Sequence, residues 1–484
     1  MEVQPPADEA AGHASELDVR HGPHSSVHLP LSRSVGPSRS APPPTGSVIV
    51  QKFGGSSVKD AAGIRRAARR MASTHSAGYK VVGVVSAMGD TTDELLDLAR
   101  SVSPRPRQKH LDALLSTGEI IPMTLLVMAL ADLGVKAVPF TGERAGLITD
   151  HVHGDARIID MRPHRVAECL DRGEIAVVAG FQGGAGKKKK TTTLGRGGSD
   201  LTAVALAAAL DASICEIYTD VDGVHSADPR IVPRARKIEV LSSEEMLEFS
   251  ASGAKILHLR CVEYAHRFHV PLHVRSAFTD APGTLVLPSS DGHWDRSAKE
   301  HPVVSAVTSN NSAATITVVD VPRSPEATSR IFGDLAECGL SVSMIARSAH
   351  AAADGRSSVV FTLPAVDVPI ALATLSASRE QTGCGRAEVR DSMGRITVSG
   401  VGMRSSAGVL RVFFRVLSDA AVPVLLVETS DLSLSAVVPA GRLGEAVRGL
   451  EVAFGLGGTP EHLPALEHRD AVTVPGTADG FTHV

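Results

Sequence analysis

The chain has 484 residues, 43% of them hydrophobic but only 3% aromatic, with a formal net charge of −4. That length calls for more than one domain, and the charge and the scarcity of aromatic rings argue against a nucleic-acid surface. The five cysteines, scattered and without a CxxC pair, read as reduced buried thiols and not as a zinc site. No run of about eighteen apolar residues marks a membrane span, and the N-terminus lacks the basic start and apolar core of a signal peptide. A cytoplasmic protein is expected.

Residues 1–46 are rich in Pro, Ser, His and Gly without periodicity, the composition of a disordered extension. From Ser47 the pattern becomes strand, loop, helix: a buried strand at Val48-Ile49-Val50, a loop at 53–57 and an amphipathic helix over 58–71. The plan repeats with a strand at 81–85, a loop at 86–92 and a helix at 93–101. A helix is expected to begin at Glu119, with strands at 137–140, 175–179 and 214–219 and a long helix after Gly198. Lys187–Lys190 read as a solvated hairpin tip. Apolar strands alternating with helices predict an α/β fold over residues 47–287, a mostly parallel sheet sandwiched by helices. A polar linker covers 288–303. Two similar blocks follow, at 304–390 and 391–468, each reading as strand, helix, strand, strand, helix, which is an internal repeat. Residues 469–484 read as a disordered tail.

The segment richest in chemistry is Thr192-Thr193-Leu194-Gly195-Arg196-Gly197-Gly198-Ser199-Asp200, just ahead of an apolar helical run. Its glycines let the backbone approach phosphates, the N–H groups of a helix start attract anions, and Arg196 can grip a carboxylate through two parallel hydrogen bonds. Phosphoryl transfer to a small carboxylate is therefore expected. Lys52 ends the first strand just before Gly54-Gly55-Ser56, where a lysine can reach phosphoryl oxygens held by loop amides; the alternative is a surface lysine beside a tight turn. Ser86–Thr92 offers a second anion or substrate loop, or simply a capped turn. Glu119 is either a first-turn acid suited to the helix dipole or a partner for a substrate ammonium. Thr219–Val224 and Ala227–Arg230 follow a strand end, where parallel sheets bind ligands, or form a turn-rich connection. The Walker A pattern matches nowhere.

Together these motifs resemble the aspartokinases of the amino-acid kinase family. The matching segments are Val50–Ser57, Val85–Gly89, Ser116–Glu119, Thr193–Asp200, Glu216–Val224, Ala227–Arg230 and Gly253–His258, in the family's order. The two repeats resemble paired ACT (βαββαβ) regulatory domains. The resemblance implies that ATP and L-aspartate give 4-phospho-L-aspartate and ADP, with magnesium carried on ATP and no metal site on the protein. It implies Lys52 and Asp200 at the catalytic centre. Ser86, Thr92, Glu119, Arg196, Gly197, Gly198 and Ser199 would seat aspartate, with Glu119 on its ammonium and Arg196 on its α-carboxylate. Lys52, Phe53, Gly54, Gly55, Ser56, Ser199, Tyr218, Thr219, Asp220, Asp228, Arg230 and Lys255 would serve ATP. It also implies a homo-oligomer joined through the ACT domains, and lysine or threonine as effector. The acceptor carboxylate, of pKa near 4, is already ionised at neutral pH, so the protein must supply positive charge and in-line positioning instead of a base.

The chain departs from the family pattern at several positions. Leu259 stands for a proline and Arg144 for a glutamine. In the first repeat Glu326 stands for a glycine, and Ser341-Val342-Ser343-Met344-Ile345-Ala346-Arg347 loses an acid at Ser343 and gains a cation at Arg347. The second repeat keeps Gly402-Met403 and Gly408. Weak or absent feedback inhibition is the expectation. The rival readings are a kinase for glutamate, acetylglutamate or carbamate, and a catalytically inactive amino-acid sensor.

Overall fold

The structure, a computed structural model, describes residues 43–186, 190–254, 256–288, 303–348, 356–401, 403 and 407–457. Residues 1–42 of the N-terminal extension, Lys187–Lys189 of the hairpin tip, most of the linker, Gly402 and the C-terminal tail lie outside the described residues.

The first half runs β1 (Val48–Phe53), α1 (Ala61–Ser76), β2 (Lys80–Val85), α2 (Thr91–Val102), α3 (Gln108–Asp132), β3 (Ala137–Phe140), β4 (Leu147–Thr149) and β5 (Ile158–Met161). It continues with α4 (His164–Asp171), β6 (Ile175–Ala179), β7 (Gln182–Ala185), β8 (Lys190–Thr193), α5 (Gly198–Ala209), β9 (Ile214–Thr219), β10 (Val224–His225) and β11 (Lys237–Ile238). Then come β12 (Val240–Ser242), α6 (Ser243–Ala251), α7 (Leu259–Arg267), β13 (Leu272–Ser276) and β14 (Thr284–Leu287). The main sheet has the order β12-β14-β13-β9-β1-β2-β6-β3. Its six strands from β13 to β3 run parallel, and β14 turns antiparallel against β13. Alternation along β2 explains the layers. Val82 and Val84 enter a core shared with Ala203, Val204 and Leu206 of α5. Val81 and Val85 enter the opposite core with Met71 of α1 and Leu126 and Leu130 of α3. A second sheet, β5-β4-β7-β8, stands beside it.

Helix α3 is 25 residues long, and by length and composition it is apolar enough to cross a membrane. That departs from the reading of the sequence as lacking such a run. Its apolarity has a local cause: Met123, Leu126 and Leu130 fill the core under the sheet, while Asp112 and Glu119 are buried on the same helix.

The regulatory half comprises β15 (Val303–Pro322), α8 (Pro325–Glu337), β16 (Ser343–Arg347), β17 (Arg356–Pro364), α9 (Val368–Ala377), α10 (Arg379–Thr382), β18 (Ala387–Val401), α11 (Ala407–Asp419), β19 (Leu426–Thr429), β20 (Ser433–Pro439) and α12 (Leu443–Ala453). They form one sheet, β16-β17-β15-β18-β20-β19. A cut at 390/391 does not describe this sheet. The first part of β15 pairs with the second part of β18, and the second part of β15 with the first part of β18. Val307 of β15 accordingly sits in the core of the second repeat, with Ile396 and Phe413, whereas Ile316 sits in the core of the first, with Phe361. Each repeat borrows a strand from the other's stretch of chain.

The two halves are joined through residues 226–236. Ala227 and Val232 are buried in the second repeat's core, the Val307 N–H donates to the Ser226 carbonyl at 2.7 Å, and the Ser226 hydroxyl donates to the Leu456 carbonyl at 3.1 Å. Ser305 and Ser430 donate to Glu245 and Glu248 of α6 at 2.9 and 3.2 Å.

Two glycines separate steric need from mere tolerance. A Cβ on Gly142 would overlap the Gln182 carbonyl oxygen, while one on Gly333, on the exposed side of α8, would meet nothing. Gly142→Ala is expected to lower the thermal midpoint, and Gly333→Ala to stabilise by about 0.5–1 kcal/mol through lower backbone entropy in the unfolded chain. Calorimetry on both variants checks this; a shift of the same sign in both would contradict it.

Candidate active site

The loops that follow β1, β2, β6 and β8 meet beyond the C-terminal ends of the parallel strands, where such sheets bind ligands. Alternation along β1 turns Val50 and Lys52 towards α5 and Gln51 and Phe53 the other way. Lys52 is only 8% exposed, and its Nζ lies 2.5 Å from Asp200 Oδ1 in the first turn of α5. Asp200 suits that place because an acid stabilises a helix N-terminus. The chain enters the helix through Gly195 and Gly197, both left-handed (φ +76° and +72°). Gly197 also lies against the His258 ring, which any side chain at 197 would strike. At Gly180 a Cβ would come within 2.7 Å of the Ser199 side chain, so β6 and α5 close up only because that residue is bare. Burial holds the His258 imidazole below its ordinary pKa.

The phosphate-type loop is tied in place by its backbone. The Gly54 N–H donates to the Tyr218 carbonyl (3.1 Å), and the Gly89 N–H to the Gly55 carbonyl (3.1 Å). A Cβ on Gly55 would stand 3.0 Å from the Ala87 carbonyl oxygen. Ser56, Ser86 and Thr92 are part-exposed around this junction, Thr92 in the first turn of α2. Ser199 is 7% exposed, Gly198 begins α5, and Arg196 is exposed on the loop with no ion-pair partner among the described residues.

Glu119 requires a correction. It does not begin a helix: α3 starts at Gln108, so Glu119 lies well inside it and cannot act as a first-turn acid. Gly118, inside the helix, is small to admit Ala87, whose Cβ would lie 3.2 Å from a Cβ at 118. Glu119 Oε1 accepts the Ala87 N–H at 3.3 Å, and Oε2 is buried with no hydrogen-bond partner. Desolvation pushes its carboxyl up to about 8.

Several further polar residues shape the site without having stood out in the sequence. Asp112, two turns before Glu119 on the same face of α3, bonds Thr193 and His153. Gln182 donates to the Ser116 carbonyl at 3.0 Å. Arg260 holds the Asp155 carboxylate and the carbonyls of Leu194 and Ala156 at 2.7, 2.6 and 2.9 Å. The one available signal is an acid, Asp112, two turns before Glu119 in a largely apolar helix.

The proposed nucleotide residues divide. Phe53 and Tyr218 stack on each other in the core at 5.0 Å between ring centres, and the Tyr218 hydroxyl donates to Glu216 at 2.8 Å. Both rings complete the sheet's hydrophobic face, and the Tyr218 carbonyl meets the loop by accepting the Gly54 N–H. Thr219 and the exposed Asp220 follow β9 and bond each other at 3.1 Å. Arg230 is paired with Asp228 at 2.7 Å. Lys255 lies outside the described residues. A cavity of about 340 Å³ lined by Ile49, Ile214, Glu216 and Arg275 opens near the opposite ends of β1 and β9, away from these loops.

The proposed effector residues also separate. Arg347 donates to Ser357 (2.7 Å), Thr328 (2.9 Å) and the Pro322 carbonyl (2.7 Å), reaching the first turn of α8, where Glu326 is exposed. Ser343, at the other end of β16, bonds Thr362 at 2.9 Å and accepts from Arg395 at 2.6 Å. Ser341 and Ile345 are exposed, and Met344 is buried with φ +50° at a bulge.

A kinase-type α/β domain followed by a shared ACT sheet is thus the class defined by fold and site. Residues 47–276 match the amino acid kinase family and residues 396–454 an ACT domain. The chain is 47% identical to the aspartokinase of Mycolicibacterium smegmatis over 86% of its own length and 98% of that protein. It is 39% identical to the aspartokinase of Thermus thermophilus over 85% and 99%. Its fold is similar to Escherichia coli aspartokinase III in complex with aspartate and ADP (TM-score 0.73, 25% identity, covering 84% of this chain and 99% of that one). The chain belongs to the aspartokinase family and is an enzyme of the kinase class.

Burial of Glu119 makes a prediction about pH. Unfolded, its carboxyl ionises near 4.5; folded, it keeps its proton up to about 8. Between those values the folded state binds more protons, so this group's contribution to stability falls as pH rises and levels off above about 8. Glu119→Gln lacks the titration, so its thermal midpoint relative to the wild type should climb from pH 5 to pH 8.5. A pH-independent difference would show that Glu119 is not desolvated.

Proposed function

We propose that this chain transfers the γ-phosphoryl group of ATP, carried as its magnesium complex, to the β-carboxylate of L-aspartate, giving 4-phospho-L-aspartate and ADP, the first step towards lysine, threonine and methionine. The observation that carries the reading is the largely buried Lys52–Asp200 pair at the start of α5, beside the Gly54-Gly55 loop. The aspartokinase names of the relatives and the aspartate and ADP held by the E. coli enzyme support it.

In this reading Lys52 neutralises charge on the transferring group, and the loop amides at Gly55 and Ser56 and at the start of α5 hold its oxygens, while the Gly54 N–H ties the loop to the Tyr218 carbonyl. Asp200 orients the Lys52 ammonium and takes no proton, since the acceptor carboxylate is ionised at neutral pH. The exposed guanidinium of Arg196 grips the α-carboxylate. The unpartnered Oε2 of Glu119 receives the substrate ammonium, which favours its charged form and so offsets the burial that raises its pKa. Ser86, Thr92 and Ser199 complete the aspartate seat, and Thr219, Asp220, Asp228, Arg230 and Lys255 serve the nucleotide.

The first-repeat residues support weak feedback inhibition. Arg347 and Ser343 spend their hydrogen bonds within the protein, which leaves little there for a lysine or threonine effector. A homo-oligomer would form through the ACT sheet, whose edge strands β16 and β19 carry Ile345 and Val427 at 54% and 44% exposure.

Two measurements test this. A coupled assay should give ADP release that depends on aspartate and not on glutamate, acetylglutamate or carbamate, and Lys52→Ala should lower kcat about a hundredfold or more with folding retained. Near-normal turnover in that variant, or a preference for another acid, would overturn the assignment. Lysine and threonine together at millimolar levels should leave most activity intact; strong inhibition would refute the weakened regulation.

A further inference from the structure

Asp112 is fully buried, at 0% exposure, and none of the roles above uses it. Its two oxygens are taken by two different elements. Oδ1 accepts from the Thr193 hydroxyl at 2.7 Å, and Oδ2 pairs with His153 Nδ1 at 2.5 Å. A carboxylate without water must be satisfied by such partners, or it would be expelled or neutralised.

The place of those partners gives the contact its meaning. Thr193 is the last residue of β8, three before Arg196. Between them the Leu194 carbonyl is held by Arg260 at 2.6 Å, so the strand end is clamped from two sides. Asp112 and Glu119 both belong to α3, seven residues apart, which returns them to the same helix face. A single rigid helix thus carries Glu119 and also grips the strand that delivers Arg196.

We propose that Asp112 is a positioning residue for the acceptor amino acid: by pinning Thr193 to α3 it sets the span between Glu119 and Arg196, and so selects a substrate whose α-ammonium and α-carboxylate match that span. His153 supplies the second partner that keeps the buried carboxylate in place. This rests on the reading that Glu119 and Arg196 hold aspartate. Apart from the amides at the start of α5, the ATP-serving residues lie on other loops, so a change in the span should reach aspartate and largely leave the nucleotide alone.

The test is steady-state kinetics on Asp112→Asn, Thr193→Val and Thr193→Ser, with Arg196→Ala alongside. Asp112→Asn and Thr193→Val should each raise KM for aspartate about tenfold, the scale of one lost hydrogen bond to a charged group, while KM for ATP stays within about twofold. Thr193→Ser, which keeps the hydroxyl, should restore the wild-type value. If Asp112→Asn does not fold, the Val and Ser pair at 193 carries the test by itself. An unchanged aspartate KM in Thr193→Val, parallel changes in both KM values, or failure of Ser to rescue would overturn the proposal while leaving the aspartate reading intact. If Arg196→Ala leaves the aspartate KM unchanged, the aspartate reading falls and this proposal falls with it.

Discussion

The ion pair between Lys52 and Asp200 is the constraint around which the rest of the molecule is arranged. A lysine only 8% exposed is unfavourable without a counter-charge. The counter-charge comes from the start of a helix that itself prefers an acid. Bringing the end of β1 and the start of α5 within 2.5 Å of each other at these side chains demands bare backbone nearby. Gly180, Gly197 and Gly198 supply it, since a Cβ at any of them would run into Ser199, His258 or Phe181. The loop is glycine-rich as much for the closeness of these elements as for any ligand.

The same economy links the site to the regulatory half. Residues 226–236, which follow β10, bury Ala227 and Val232 in the second repeat. Ser305 and Ser430 of the ACT sheet bond α6 of the kinase domain. Arg395 stands where the repeats meet: it donates to Ser343 of the first repeat, and burial holds its pKa down against the pull of Glu428 and Glu248. A displacement in either repeat therefore has a packed route towards the chemistry.

Much of this was legible in the residues. The alternation of Val81, Val82, Val84 and Val85 announces a strand covered on both faces, and the Thr192–Asp200 motif announces a glycine turn into a helix start. What was not legible had physical causes. Glu119 reads as a helix start ahead of the apolar run that follows it, whereas α3 already begins at Gln108. The stacking of Tyr218 on Phe53 was not visible, because β1 and β9 are far apart in the chain. The exchange of strand halves between β15 and β18 leaves no local mark, because either pairing satisfies the same alternation.

By itself the sequence determined which stretches become strands and helices, where the glycine turns must fall, and which charged residues have no apolar surroundings to hide in. Those properties depend on a residue and its near neighbours. Only the tertiary structure decided that Lys52 would meet Asp200, that Glu119 would lose its water, and that Asp112 would join α3 to β8. Each of these depends on contacts between segments far apart in the chain, and a carboxylate's charge state follows from what surrounds it in space.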